Sequence, residues 1–320
     1  MTLKVFLQFV EIQTKLASMI PFLLGTLYAS YRYDSFLPLN FLLMFVSLFS
    51  FDMATTAINN YIDLTKAHQP AGYNFERGRT LVQHGLTETA GKVIIFTLLT
   101  LATAAGIILV LRTELVVLFV GMASFGFGVF YTFGPLPISR MPLGEIFSGL
   151  LMGFVIMFLS IYIHLGEQSP VLLNVALPWI SLAFDLGEII VIFLLSIPAV
   201  SGIANIMLAN NICDVEEDVA NRRYTLPYYI GQKKAVLLFS VLYYIAYLDI
   251  ILLVALGVIP LLSLLTLLTV FPVMQNIKKF NSEPKKDKTF VLSIKNFTLM
   301  NVTQILVLAI ILLITRMGSL

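Results

Sequence analysis

The segment Asn210-Asn211-Ile212-Cys213-Asp214-Val215-Glu216-Glu217-Asp218 sets four acids directly behind a long apolar run. Asp214 and Asp218 are four residues apart, so on a helix their carboxylates leave the same face about one turn apart. That spacing can hold a divalent cation. Asn59-Asn60-Tyr61-Ile62-Asp63 stands in the same position relative to an earlier apolar run. Cations accompany both clusters: Lys66, Arg77 and Arg79 follow Asp63, and Arg222 and Arg223 follow Asp218. Metal-binding acids beside cations suit a diphosphate. Mg2+ needs only one or two carboxylates, because it keeps water and bridges to substrate phosphate, and Lys and Arg neutralise the remaining phosphate oxygens. The alternative is that these are loop charges snorkelling at the headgroup level.

The elements that must position these clusters are membrane helices. Hydrophobic residues make up 58% of the chain and charged residues only 12%, about half the charged share of a soluble domain, and the mean hydropathy is +0.92. Runs approaching the ~20 residues that cross a bilayer fall at 17–33, 39–61, 90–111, 113–131, 143–164, 189–211, 235–256, 258–274 and 297–316. The expectation is an all-α polytopic membrane protein, one membrane domain over 1–320, with about nine transmembrane helices around a central cavity that opens to the cytoplasmic face. Nine spans place all but Arg32, Arg112 and Arg316 of the 20 Lys and Arg on the side of the N-terminus. By the positive-inside rule that side is cytoplasmic, and both acid clusters lie on it. The first apolar run is long enough to be a retained helix rather than a cleaved signal. An offset of four helices between the clusters suggests a weak internal repeat, each half delivering one acid cluster to a shared cavity.

Other classes find little support. One cysteine, Cys213, excludes an intrachain disulfide and a multi-cysteine metal site. A net charge of +2 without a basic run interleaved with aromatics gives no sign of nucleic acid. A transporter predicts polar residues near the midplane and on both sides, whereas here they gather at one set of helix ends, with Asp52 the exception.

The pattern Asn59-Asn60-x-x-Asp63 followed by Asp214-x-x-x-Asp218 resembles the two aspartate-rich motifs of the UbiA superfamily of intramembrane prenyltransferases, a fold of nine transmembrane helices. Three further segments look like the dihydroxynaphthoate polyprenyltransferases (MenA) of menaquinone synthesis: Tyr131-Thr132-Phe133-Gly134-Pro135-Leu136-Pro137, Leu143-Gly144-Glu145-Ile146-Phe147, and Asn210 through Asp218 to Asn221-Arg222-Arg223-Tyr224-Thr225-Leu226. The resemblance covers residues 11–235. It departs at Ala67, His68 and Gln69, where the family has a second Asp, and at Cys213, where many relatives have Arg.

The resemblance implies Mg2+ held by Asp63 with Asn59 or Asn60 and by Asp214 and Asp218. It implies a polyprenyl diphosphate whose head lies at the cytoplasmic mouth and whose tail runs among the helices and membrane lipid. Lys66, Arg77, Arg222 and Arg223 would contact the diphosphate, and Tyr131 would face the allylic cation. The implied acceptor is 1,4-dihydroxy-2-naphthoate, alkylated with loss of CO2 and diphosphate to give demethylmenaquinol in a bacterial cell membrane. Lys15 would hold the acceptor carboxylate, although positive-inside topology accounts for that lysine equally well. A related enzyme with another acceptor, such as 4-hydroxybenzoate, is the alternative.

Among the remaining residues, Asp52 lies seven positions before Asn59, on nearly the same helix face. Either it is functional, as intramembrane acids tend to be, or it bonds to Thr55, Thr56 or a neighbouring helix. Glu145 either orients a cation or anchors a helix end. His68, His84 and His164 form no zinc pattern, and Trp179 marks a membrane interface.

Overall fold

The computed structural model describes residues 2–66, 86–132, 141–176 and 178–318. Seven of its helices are long and apolar enough to cross a membrane: Pro38–Ile62, Glu88–Arg112, Gly144–Tyr162, Leu186–Cys213, Gln232–Ala255, Leu261–Ser282 and Val291–Met317. Each overlaps one expected span. The first and fourth expected spans coincide with two shorter helices, α2 (Leu16–Arg32) and α5 (Leu115–Thr132). The chain is an integral membrane protein, and its apolar outer surface fits that solvent: Phe96, Leu111, Leu268 and Phe271 are all at least 73% exposed, which water would penalise and lipid does not.

The chain forms two compact units, residues 1–19 with 38–132, and residues 20–37 with 133–320. In the first unit, α1 (Leu3–Phe9) is capped by the Thr2 hydroxyl, which accepts from the Val5 amide at 3.4 Å. The chain then turns at Glu11, whose φ is +49°. Helix α3 (Pro38–Lys66) packs along α4 (Glu88–Arg112). Their direction is read from three contacts: Arg112 Nε donates to Asn40 Oδ1 at 3.1 Å, Ser47 Oγ to the Ala102 carbonyl at 2.9 Å, and the Tyr61 ring lies against Gly91. Early residues of α3 meet late residues of α4, so the helices are antiparallel. Val5, Phe9 and Val10 seal the Asn60 end of this pair by packing with Met53, Ala54, Ala57, Leu86 and Leu98.

In the second unit, α6 (Gly144–Tyr162) contains a π-helical stretch at Gly149–Val155, and α7 (Leu186–Cys213) is the central helix. Gly149 and Gly153, one turn apart, let α6 approach α7 closely. A Cβ on Gly153 would lie 2.7 Å from the Val200 backbone, and one on Gly149 would lie 2.9 Å from the Val200 carbonyl. Such small-residue contacts substitute in lipid for the hydrophobic effect that drives helix packing in water. Helices α8 (Val215–Ala220), α9 (Leu226–Ile230), α10 (Gln232–Ala255), α11 (Leu261–Ser282) and α12 (Val291–Gly318) follow.

Polar side chains join these helices inside the unit. Asn205 donates to the Phe239 carbonyl at 3.0 Å, Asn276 to Asn296 Oδ1 at 2.8 Å, and the Tyr243 hydroxyl to the Ser293 carbonyl at 3.2 Å. The first part of α11, Leu261–Thr269, is wound as a 3₁₀ helix. At three residues per turn, its buried Ser263, Thr266 and Thr269 share one face, where Thr269 meets the Tyr247 hydroxyl at 2.8 Å.

The all-helical expectation needs one correction. Strands β1 (Val171–Ala176) and β2 (Trp179–Phe184) form an antiparallel hairpin, with Val171 paired to Phe184 and Ala176 to Trp179. Its β-branched and aromatic residues favour extended backbone over helix. Trp179 sits at its tip, 79% exposed.

Candidate functional site

The second acid cluster forms where α7 ends. The backbone changes direction at Asp214, the residue between α7 and α8, and α8 carries Asp218 one turn later. Asp218 is buried. Its carboxylate is 3.4 Å from Arg223 Nε and accepts from the Thr225 hydroxyl at 3.4 Å, while its backbone carbonyl accepts from the Arg223 amide at 2.7 Å. Burial pushes this carboxyl above the usual carboxylate range, and Arg223 opposes that shift. Arg222 is exposed and adopts a left-handed φ of +57°, turning the chain so that Arg223 folds back onto Asp218. Asp214, Asp218, Arg222 and Arg223 therefore lie within one tight turn system.

Asp214 has a partner that the sequence did not suggest. Lys286, in the connection between α11 and α12, places its ammonium between Asp214 Oδ2 and Asn210 Oδ1 and donates to both. The amide and the carboxylate, at positions i and i+4, already converge on a cation. This donor set suits Mg2+, which accepts sparse oxygen ligation completed by water and phosphate. Among the described residues no group of three or more His, Cys, Asp or Glu could hold a metal by itself.

Beside it, Asn211 donates to Glu145 Oε1 at 2.8 Å, both side chains being buried. Glu145 thus anchors the first turn of α6 to the end of α7. Its Oε2 and Asn211 Oδ1 are buried without a hydrogen-bond partner among the described residues.

The first cluster is organised differently. Asn59 is exposed, but Asn60 is buried and donates to the Phe9 carbonyl at 2.8 Å and to Glu11 Oε1 at 3.1 Å. Its amide nitrogen therefore tethers the α1 end of the chain. Lys15 is buried, and its ammonium donates to Asp52 Oδ1 at 2.7 Å, the Asp52 carbonyl at 2.9 Å and Thr56 Oγ1 at 2.6 Å. An ammonium has three donors, so none is left for a substrate carboxylate in this arrangement. Ser18 donates to the other Asp52 oxygen, and Thr55 and Thr56 donate to the Asp52 carbonyl. Of the two readings of Asp52, the bonded one describes this arrangement. Asp63, Lys66 and Tyr131 lie on helical backbone, with side chains outside the described residues, and Arg77 and Arg79 lie wholly outside them.

The sequence reading passed over two residues. Lys286 sits in a lysine-rich segment, Lys278 to Lys288, and pairs with an acid 72 positions earlier in the chain. Asp249 lies inside α10, 5% exposed, with neither carboxylate oxygen hydrogen-bonded among the described residues. An acid within a spanning run is itself a signal.

The UbiA prenyltransferase family model matches residues 18–302. The chain belongs to this family. It is a prenyltransferase. The 1,4-dihydroxy-2-naphthoate octaprenyltransferase of Bacillus subtilis (strain 168) is 30% identical over 244 residues, covering 76% of this chain and 71% of that protein. Solved UbiA structures share the fold. A UbiA homolog from Aeropyrum pernix K1 superposes with a TM-score of 0.62 at 17% identity, over 96% of this chain and 98% of that one. A UbiA homolog from Archaeoglobus fulgidus bound to DMAPP and Mg2+ gives a TM-score of 0.61 at 12% identity, over 95% and 99%.

Proposed function

We propose that this UbiA-family enzyme transfers a polyprenyl group from polyprenyl diphosphate to 1,4-dihydroxy-2-naphthoate, with loss of CO2 and diphosphate, to give demethylmenaquinol on the cytoplasmic side of a bacterial membrane. The observation that carries this reading is the turn system at the end of α7. Asn210 and Asp214 converge there on a cation, with Asp218 and Arg223 paired one turn away. The Bacillus subtilis relative supports the acceptor, and the Archaeoglobus fulgidus structure supports a prenyl diphosphate and Mg2+.

Asp214 and Asp218, with Asn210, supply the oxygens that would hold the metal. When bound, a divalent ion supplies positive charge against which the diphosphate departs. Arg222 is exposed beside these acids and can meet phosphate oxygens, whereas Arg223 stays against Asp218, opposes the effect of burial on its carboxyl and orients it. The apolar spans keep the prenyl chain and the allylic centre from water, which protects a carbocation-like centre from hydrolysis. Asp63 with Asn59, together with Lys66, Arg77 and Tyr131, keeps the roles that the family resemblance implies. Nine spans and one domain over 1–320 belong to the same proposal.

A mass-spectrometric product assay tests it: purified protein in lipid, Mg2+, a polyprenyl diphosphate, and dihydroxynaphthoate mixed with 4-hydroxybenzoate. Mg2+-dependent, decarboxylated and prenylated naphthoquinol is the expected product. Prenylated hydroxybenzoate instead would move the acceptor and keep the reaction class, and no product from either would overturn the proposal.

A further inference from the structure

The connection that carries Lys286 is tied mostly to itself. Thr289 accepts from the Lys285 amide at 2.9 Å and donates to the Glu283 carbonyl at 2.6 Å, while Lys285 and Lys288 both pair with Glu283, at 2.6 and 3.4 Å. Lys286 departs from this pattern. Its ammonium lies 5.0 Å from the Phe290 ring centroid and reaches 72 positions back along the chain to Asp214.

Two oxygens one helical turn apart form a cation site, and an ammonium now fills it. A divalent ion needs the same Asn210 and Asp214 oxygens, and two cations cannot share them. The ammonium can leave: the Lys286 side chain is 37% exposed and that of Asp214 is 21% exposed, so the pair is weakly held compared with a buried one. Displaced by a metal, Lys286 stays tethered beside the acids, where it can turn to the anion that the metal brings with it.

We propose that Lys286 is a resting-state placeholder for the metal, displaced when metal binds and then a ligand of the diphosphate. This rests on the reading of Asp214 as a metal ligand. Lys286 keeps neighbouring carboxylates from repelling one another before metal binds, lowers affinity for metal alone, and raises affinity for metal and diphosphate together. The site therefore favours the pair over either component.

The test uses full-length protein in lipid with Mn2+ as the probe, its free concentration read by electron paramagnetic resonance, first without diphosphate. Lys286→Met should bind Mn2+ roughly fivefold more tightly than the parent, the scale of a half-exposed ion pair. With Mn2+ saturating, it should bind inorganic diphosphate roughly fivefold more weakly. Lys286→Arg, which keeps the charge, should stay near the parent in both, and thermal unfolding of each variant checks that it folds. Unchanged or weaker Mn2+ binding by Lys286→Met would overturn the placeholder, and unchanged diphosphate binding would overturn the ligand role. Asp214→Asn separates the two levels. If it leaves Mn2+ binding intact, or if neither the parent nor Lys286→Met binds Mn2+ even with inorganic diphosphate present, the metal reading falls and this inference with it; if it abolishes binding while Lys286→Met changes nothing, only the inference falls.

Discussion

Two lysine–aspartate pairs, one in each compact unit, show how burial divides structure from function. Lys15 and Asp52 have side chains 3% and 15% exposed, and Ser18 and Thr56 complete their hydrogen bonds. Lys286 and Asp214 are 37% and 21% exposed. The first pair is a lock: every ammonium proton is used, and removing one partner strands a charge away from water. The second is a latch, because water and ligands reach both groups and either can exchange its partner. Both pairs sit near an acid–amide cluster, so residue type and spacing alone do not tell them apart.

The sharpest way to break the contrast is at the lock. Lys15→Met leaves Asp52 without its countercharge and should cost about 3–5 kcal/mol of stability, read by thermal unfolding in detergent. Adding Asp52→Leu should recover most of that loss, since the buried charge goes too. Should Lys15→Met keep its stability and instead raise only the aromatic-acid requirement, Lys15 would return to the acceptor site. At the latch the loss should fall on turnover. Asp214→Asn should lower prenyl transfer about 10²–10³-fold, the scale of losing one charge-stabilising group, with the unfolding midpoint nearly unchanged. Asn60→Ala leaves the Phe9 carbonyl and Glu11 without their shared donor and should cost about 1–2 kcal/mol. A loss of metal affinity with no loss of stability would make Asn60 a ligand instead. Lys286→Met should likewise cost little stability, under about 1 kcal/mol, and its consequence should appear in Mn2+ binding.

The spanning helices were legible because the membrane needs long apolar runs: the expected 39–61, 90–111 and 189–211 became Pro38–Ile62, Glu88–Arg112 and Leu186–Cys213. The end of α7 was legible too, since Asp214 and Asp218 carry helical spacing and the charge around them is local in sequence. The hairpin was missed although Val171–Ala176 and Trp179–Phe184 are two short β-favouring runs two residues apart, the spacing of a tight hairpin. It lies between two spans, in a connection whose apolar runs are too short to cross a bilayer. Lys286 and the tether from Asn60 to Phe9 were out of reach for another reason. Their partners lie 72 and 51 positions away, and no local periodicity records such a pairing. Asp249 could have been seen, as a single acid inside a run otherwise apolar.

The bond from Asn211 to Glu145 also bears on how the chain is made. Glu145 leaves the ribosome 66 residues before the amide that will hold it, roughly 3–13 s earlier at ordinary synthesis rates. Until then its carboxylate has no partner, and it can wait in water because it sits in the first turn of its helix rather than the middle. A ribosome pause between these two helices would lengthen the interval for which that acid depends on water.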